Sequence, residues 1–103
     1  MGACTDFRTY ANFTKVEAER RFTEDQQESA YDSGHSYSGC IGVMPGGVTW
    51  VDETFPSAFE AERYITKNHE KWEPAMGVSY VQVVEEDEPK ETRGFVIGGW
   101  CSS

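Results

Sequence analysis

The sequence predicts an α+β domain in which two helices pack on one face of an antiparallel sheet. Two capping boxes carry the helices. Thr14-Lys15-Val16-Glu17 and Ser57-Ala58-Phe59-Glu60 each place a hydroxyl three residues before a carboxylate, at the head of a stretch with helical apolar spacing. Runs rich in valine, isoleucine and aromatic residues carry the sheet, because they alternate with small or polar residues as half-buried strands do. A length of 103 residues allows one domain, spanning 1–103.

Ala3–Phe13, with Phe7 and Tyr10 among small and polar residues, reads as the first strand. A helix over 15–31 follows, with Phe13 as the staple residue against Ala18, and Ala18, Phe22, Ala30 and Tyr31 on the inner face. Glu17–Arg21 and Arg20–Glu24 supply pairs four apart on its wet side. Asp32-Ser33-Gly34 ends it. Tyr37, Gly39, Ile41 and Val43 alternate as a strand, Met44-Pro45-Gly46-Gly47 turns, and Val48–Val51 returns as the hairpin partner. The second helix places Ala58, Ala61, Ile65, His69 and Trp72 on one face and stops before Pro74. Val78–Val84 and Gly94–Trp100 are the last strands, joined by the solvated run Glu85–Glu91. The order β-α-β-β-α-β with an extra C-terminal strand predicts a ferredoxin-like sandwich.

Composition narrows function. Eighteen acidic residues against nine basic ones give a net charge of −9, which argues against nucleic acid or an anionic membrane as direct partner. No apolar run is long enough to span a bilayer, and the first residues carry no signal-peptide pattern, so a cytoplasmic protein is expected. No leucine occurs, and 14% aromatic residues must build the core instead. Cys4, Cys40 and Cys101 are few, far apart and without a CxxC, which reads as reduced thiols.

No catalytic or cofactor motif is present. His69-Glu70-Lys71-Trp72 lacks the second histidine of a zinc helix. His69 therefore reads as an imidazole at the edge of the core. Gly39-Cys40-Ile41-Gly42 lies in a predicted strand, outside the context of a dinucleotide loop, and the C-terminal Gly98-Gly99-Trp100-Cys101 is no nucleophile elbow. No cofactor and no metal is expected, and the chain does not read as an enzyme.

The acids form the first candidate site. Alternating element directions bring the end of the first helix (Glu28, Asp32), the strand end Asp52-Glu53, and the run Glu85, Glu86, Asp87, Glu88 and Glu91 to one pole. Glu28 and Asp32 sit near a helix C-terminus, where the macrodipole disfavours anions. That pole suits a basic surface on a partner protein. The second candidate is an aromatic pocket for a nucleotide or other small molecule, built from His35, Tyr37, Trp50 and Trp100. A third reading is a carboxylate-bound metal in a minor enzyme.

At Tyr37-Ser38-Gly39-Cys40-Ile41, His69-Glu70-Lys71-Trp72-Glu73-Pro74-Ala75 and Gly99-Trp100-Cys101 the chain resembles small accessory proteins of tailed bacteriophages. The resemblance implies a product acting in the host cytoplasm on a host defence or nucleic-acid-handling protein, as anti-CRISPR proteins do. It implies no residue roles.

Overall fold

The structure, a computed structural model, describes residues 3–33, 41, 44–70, 73–84 and 90–102. The order is β1 (Ala3–Ala11), α1 (Lys15–Ser33), β2 (Val48–Phe55), α2 (Ala58–Asn68), β3 (Ala75–Val84) and β4 (Lys90–Ser102). Both helices start where the capping boxes place them. The Glu17 amide donates to Thr14 Oγ1 at 3.2 Å, and the Glu60 amide to Ser57 Oγ at 3.2 Å. In the first box the Glu17 carboxylate takes the Thr14 hydroxyl at 3.0 Å, while Phe13 packs on Tyr10, ring centres 5.5 Å apart. Among the described residues the ion pair along α1 is Arg21–Asp25, one step from the expected Arg20–Glu24.

The four strands form one sheet in the order β1-β4-β3-β2. β4 is antiparallel to both neighbours, whereas β2 runs parallel to β3. The sheet is therefore mixed, with β1, β2 and β3 pointing one way and β4 against them. This corrects the antiparallel, ferredoxin-like expectation. The cause lies between α1 and β2. Of the expected strand 37–43 only Ile41 is described, and it sits in a turn rather than a ladder with β2. Its carbonyl accepts the Met44 amide at 3.2 Å and the Gln26 side chain at 3.2 Å, and its amide donates to Asp6 Oδ2 at 2.9 Å. Among the described residues no strand from this segment pairs with β2, and β2 runs in the direction of β1.

The helices also lie on opposite faces, not on one. Tyr10, Ala75, Ile97 and Cys101 of the sheet bury with Ala18 and Phe22 of α1, together with Ile41 and Met44. Val78, Tyr80 and Val96 bury with Ala61 and Ile65 of α2, flanked by Phe7 and Met76. Successive strand residues point to opposite faces, so Val96 and its neighbour Ile97 separate the two cores. The topology requires this. α1 carries the chain from one edge strand to the other and α2 carries it part of the way back. Right-handed crossovers in opposite lateral directions must use opposite faces.

β3 and β4 stay paired through Val84↔Lys90, beyond the last partners of β2 at Tyr80 and of β1 at Gly94. Val81–Val84 and Lys90–Arg93 thus project as a two-stranded ribbon, with Val83 55% exposed. The molecule measures 47 × 25 × 23 Å.

Candidate functional site

The two ends of the sheet treat polar groups differently. At the amino end of the parallel strands, α2 stops at His69, whose extended backbone leaves the helix five residues before Pro74. The imidazole is 4% exposed and lies just beyond the point where β3 begins. Its Nδ1 accepts the Trp100 amide at 2.9 Å, so the ring is protonated at Nε2, which donates to the Pro74 carbonyl at 2.9 Å. Nδ1 thus ties the end of α2 to β4, and Nε2 ties it to the residue just before β3. Gly99 (φ 155) lies directly beneath the ring, where a Cβ would collide with it. The Trp100 indole donates to the Thr66 carbonyl at 2.8 Å. His69 and Trp100 are thus structural clasps.

The carboxyl end of the parallel strands is open, and in open sheets of this kind ligands bind at that end. β2 carries a wide irregularity there. Trp50 pairs with Gly77 and Thr54 with Ser79, so Val51, Asp52 and Glu53 together oppose the single Val78. Such bulges re-aim side chains. The Ser79 hydroxyl donates to the Glu53 carbonyl at 2.9 Å, which leaves the Thr54 hydroxyl to donate to Ser79 Oγ at 2.9 Å. This locks the bulge to β3.

Beside the bulge runs a groove of about 240 Å³, lined by Lys15, Trp50, Asp52, Glu53, Thr54, Ser79 and Phe95, with Val51 behind. Its floor is aromatic. The Trp50 indole lies over Gly77, where a Cβ would come within 2.6 Å of two ring carbons. Only glycine lets the ring cross β3 and meet Phe95 edge-on at 5.3 Å. The Lys15 ammonium, from the first turn of α1, stands 5.0 Å from the Trp50 ring centre.

The expected acidic pole is divided. Asp52 and Glu53 are exposed on the bulge, and Glu91, the second residue of β4, lies at the same end, 2.6 Å from Arg93. The segment that carries Glu85, Glu86, Asp87 and Glu88 lies outside the described residues, between the paired ends Val84 and Lys90. Glu28 and Asp32 belong to the opposite end. α1 runs back along β1, with Asp25 accepting from Tyr10 at 2.6 Å and Gln26 reaching Ile41, which is held by Asp6 near the start of β1. β2 runs opposite to the expected direction, and the acids of α1 and β2 part company.

Of the expected aromatic pocket, the two tryptophans do not come together. Trp50 faces the α1 side and Trp100 bonds α2 on the other. His35 and Tyr37 lie outside the described residues, as do Cys40 and Trp72. Cys101 is buried and takes the register position facing Cys4.

Burial, and then the hydrogen bond to the Asp25 carboxylate, push the Tyr10 phenol far above its ordinary value, and burial raises Tyr80. Among the described residues no cluster of His, Cys, Asp or Glu is arranged for a metal, and no helix is long and apolar enough to cross a membrane. Comparison with family models, curated proteins and solved structures finds no match to this chain.

The sequence reading missed Lys15, Gly77, Ser79 and Phe95. One signal was present. Trp50-Val51 followed by Asp52-Glu53 breaks the alternation of an otherwise regular strand, the mark of a bulge.

Proposed function

We propose that the protein is a binding protein without a catalytic role, which applies the carboxylate-bearing end of its sheet to a basic surface of another protein. One observation carries the reading. The ion pairs among the described residues engage Asp6, Asp25, Glu60 and Glu91, while Asp52 and Glu53 stand exposed on the bulge with no cation assigned to either. The net charge of −9 adds a long-range field that speeds encounter with a basic partner. Following the resemblance to bacteriophage accessory proteins, the partner is a host protein in the host cytoplasm.

The test is retention of host-lysate proteins on the immobilised chain, compared with a variant carrying Asp52→Asn, Glu53→Gln and Glu91→Gln and with Ser at 85–88. A partner held by the parent at low salt should be released as ionic strength rises, and the variant should not hold it. Equal retention by both chains at every salt concentration rejects the reading.

A further inference from the structure

We infer that the groove between α1 and the β2 bulge is a socket for an arginine side chain of the basic partner. This rests on the proposed function and specifies its contact. The argument begins with the cation already there. Lys15 occupies the first turn of α1, where the helix dipole opposes positive charge. Its ammonium nonetheless stands 5.0 Å from the Trp50 ring centre, and none of the ion pairs above includes it. The groove thus holds a cation by its aromatic floor, in a place where the backbone disfavours one.

The floor is built to stay flat. Gly77 beneath and Phe95 at the edge fix the Trp50 ring, and the two hydroxyls of Thr54 and Ser79 fix the bulge beside it. Asp52 and Glu53 stand on the rim as unengaged anions. A planar face with carboxylates at its margin suits guanidinium better than ammonium. Guanidinium is planar, weakly hydrated, stacks on aromatic rings and offers a fork of donors to a carboxylate. Lys15 reaches the ring on a flexible stem, and an incoming arginine displaces it towards solvent.

The test uses acetyl-Gly-Arg-Gly-amide, with the citrulline peptide as a planar, uncharged control. The readout is the indole N–H resonance of Trp50 in two-dimensional NMR, assigned with Trp50→Phe. The arginine peptide should shift that resonance saturably, and citrulline should not. Asp52→Asn with Glu53→Gln should weaken the shift. Lys15→Ala should tighten binding roughly two- to fivefold by removing the competitor, the range of one exposed cation–π contact. Lys67→Ala, on exposed α2, removes the same charge and should leave affinity unchanged.

Equal responses to arginine and citrulline overturn the inference. So does equal tightening by Lys15→Ala and Lys67→Ala, which would reduce Lys15 to net charge. Polylysine separates the two levels. If it binds in a salt-sensitive way while Trp50 ignores arginine, the socket fails and the acidic surface stands. If neither probe binds, both fail.

Discussion

The two ends of this sheet show opposite ways of using the same residue types. At the amino end a histidine, a tryptophan and a glycine meet, and every side-chain nitrogen among them has an internal partner. At the carboxyl end a tryptophan, a glycine and a lysine meet, and the charges beside them face water. The first set holds the fold together. The second is stable without its surroundings being satisfied, which leaves interaction capacity for something outside the chain. Chemistry-bearing residues indicate function by what they lack, not by their identity.

Substitutions can break or sharpen that contrast. The largest effect belongs to the closed end. His69→Ala strands the Trp100 amide and the Pro74 carbonyl and leaves a void above Gly99, so it should cost about 2–4 kcal/mol in urea unfolding. A loss below about 0.5 kcal/mol, the level of an ordinary surface change, would remove His69 from the structural side. Next comes Asp6→Ala. It frees the Ile41 amide and the Arg8 guanidinium, and about 1–3 kcal/mol should be lost by the same measurement.

Tyr10→Phe, which removes the bond to Asp25, should cost about 1–2 kcal/mol at neutral pH. It also changes the alkaline limb. In the unfolded chain the phenol ionises near pH 10, whereas burial and Asp25 keep Tyr10 protonated in the fold. Above pH 10 the folded state binds more protons than the unfolded one. The contribution is therefore complete below pH 10 and is lost as pH rises beyond it. The parent should show a falling urea midpoint above pH 10, and Tyr10→Phe a shallower fall, with Tyr80 supplying the remainder. The smallest effect is expected at the open end. Asp52→Asn with Glu53→Gln should move stability by no more than about 0.5 kcal/mol. A larger loss would mean that these acids hold the bulge, and the contrast between the ends would collapse.

What could be read from the sequence followed the range of the interactions. Thr14–Glu17 and Ser57–Glu60 announced both helix starts, because a cap depends on neighbours three residues away. Ala61 and Ile65 share the inner side of α2 as their spacing required, whereas α2 ends before His69, which is buried from extended backbone beyond the helix. The direction of β2 was not legible. It shows in the pairing with β3, remote in sequence, and the tie that captures Ile41 comes from Asp6, far back in β1. The direction of β2 decides which end of α1 its acids meet. That is why Glu28 and Asp32 were grouped with acids that lie at the other end. Trp50 and Trp100 were grouped for a similar reason. Each reads as a strand aromatic, and only register against Gly77 and contact with Thr66 reveals that they face opposite sides.

The position of β4 has a consequence for how the chain folds. It is the last strand in sequence and an inner strand in space, lying between β1 and β3. β1 has no other partner in the sheet, and its register joins Ala3 to Ser102, almost the whole sequence apart. Both cores draw residues from β4, Ile97 and Cys101 for one and Val96 for the other. While the chain is being made, β1 has an exposed edge and neither helix has a finished surface to cover. On loop-closure grounds β3 and β4, near in sequence, should pair first, and closing the long loop to β1 should be the slow, entropically opposed step. Stability and folding therefore both wait on a single late segment, and a lesion in β4 should leave the earlier elements without a common core rather than loosen one edge.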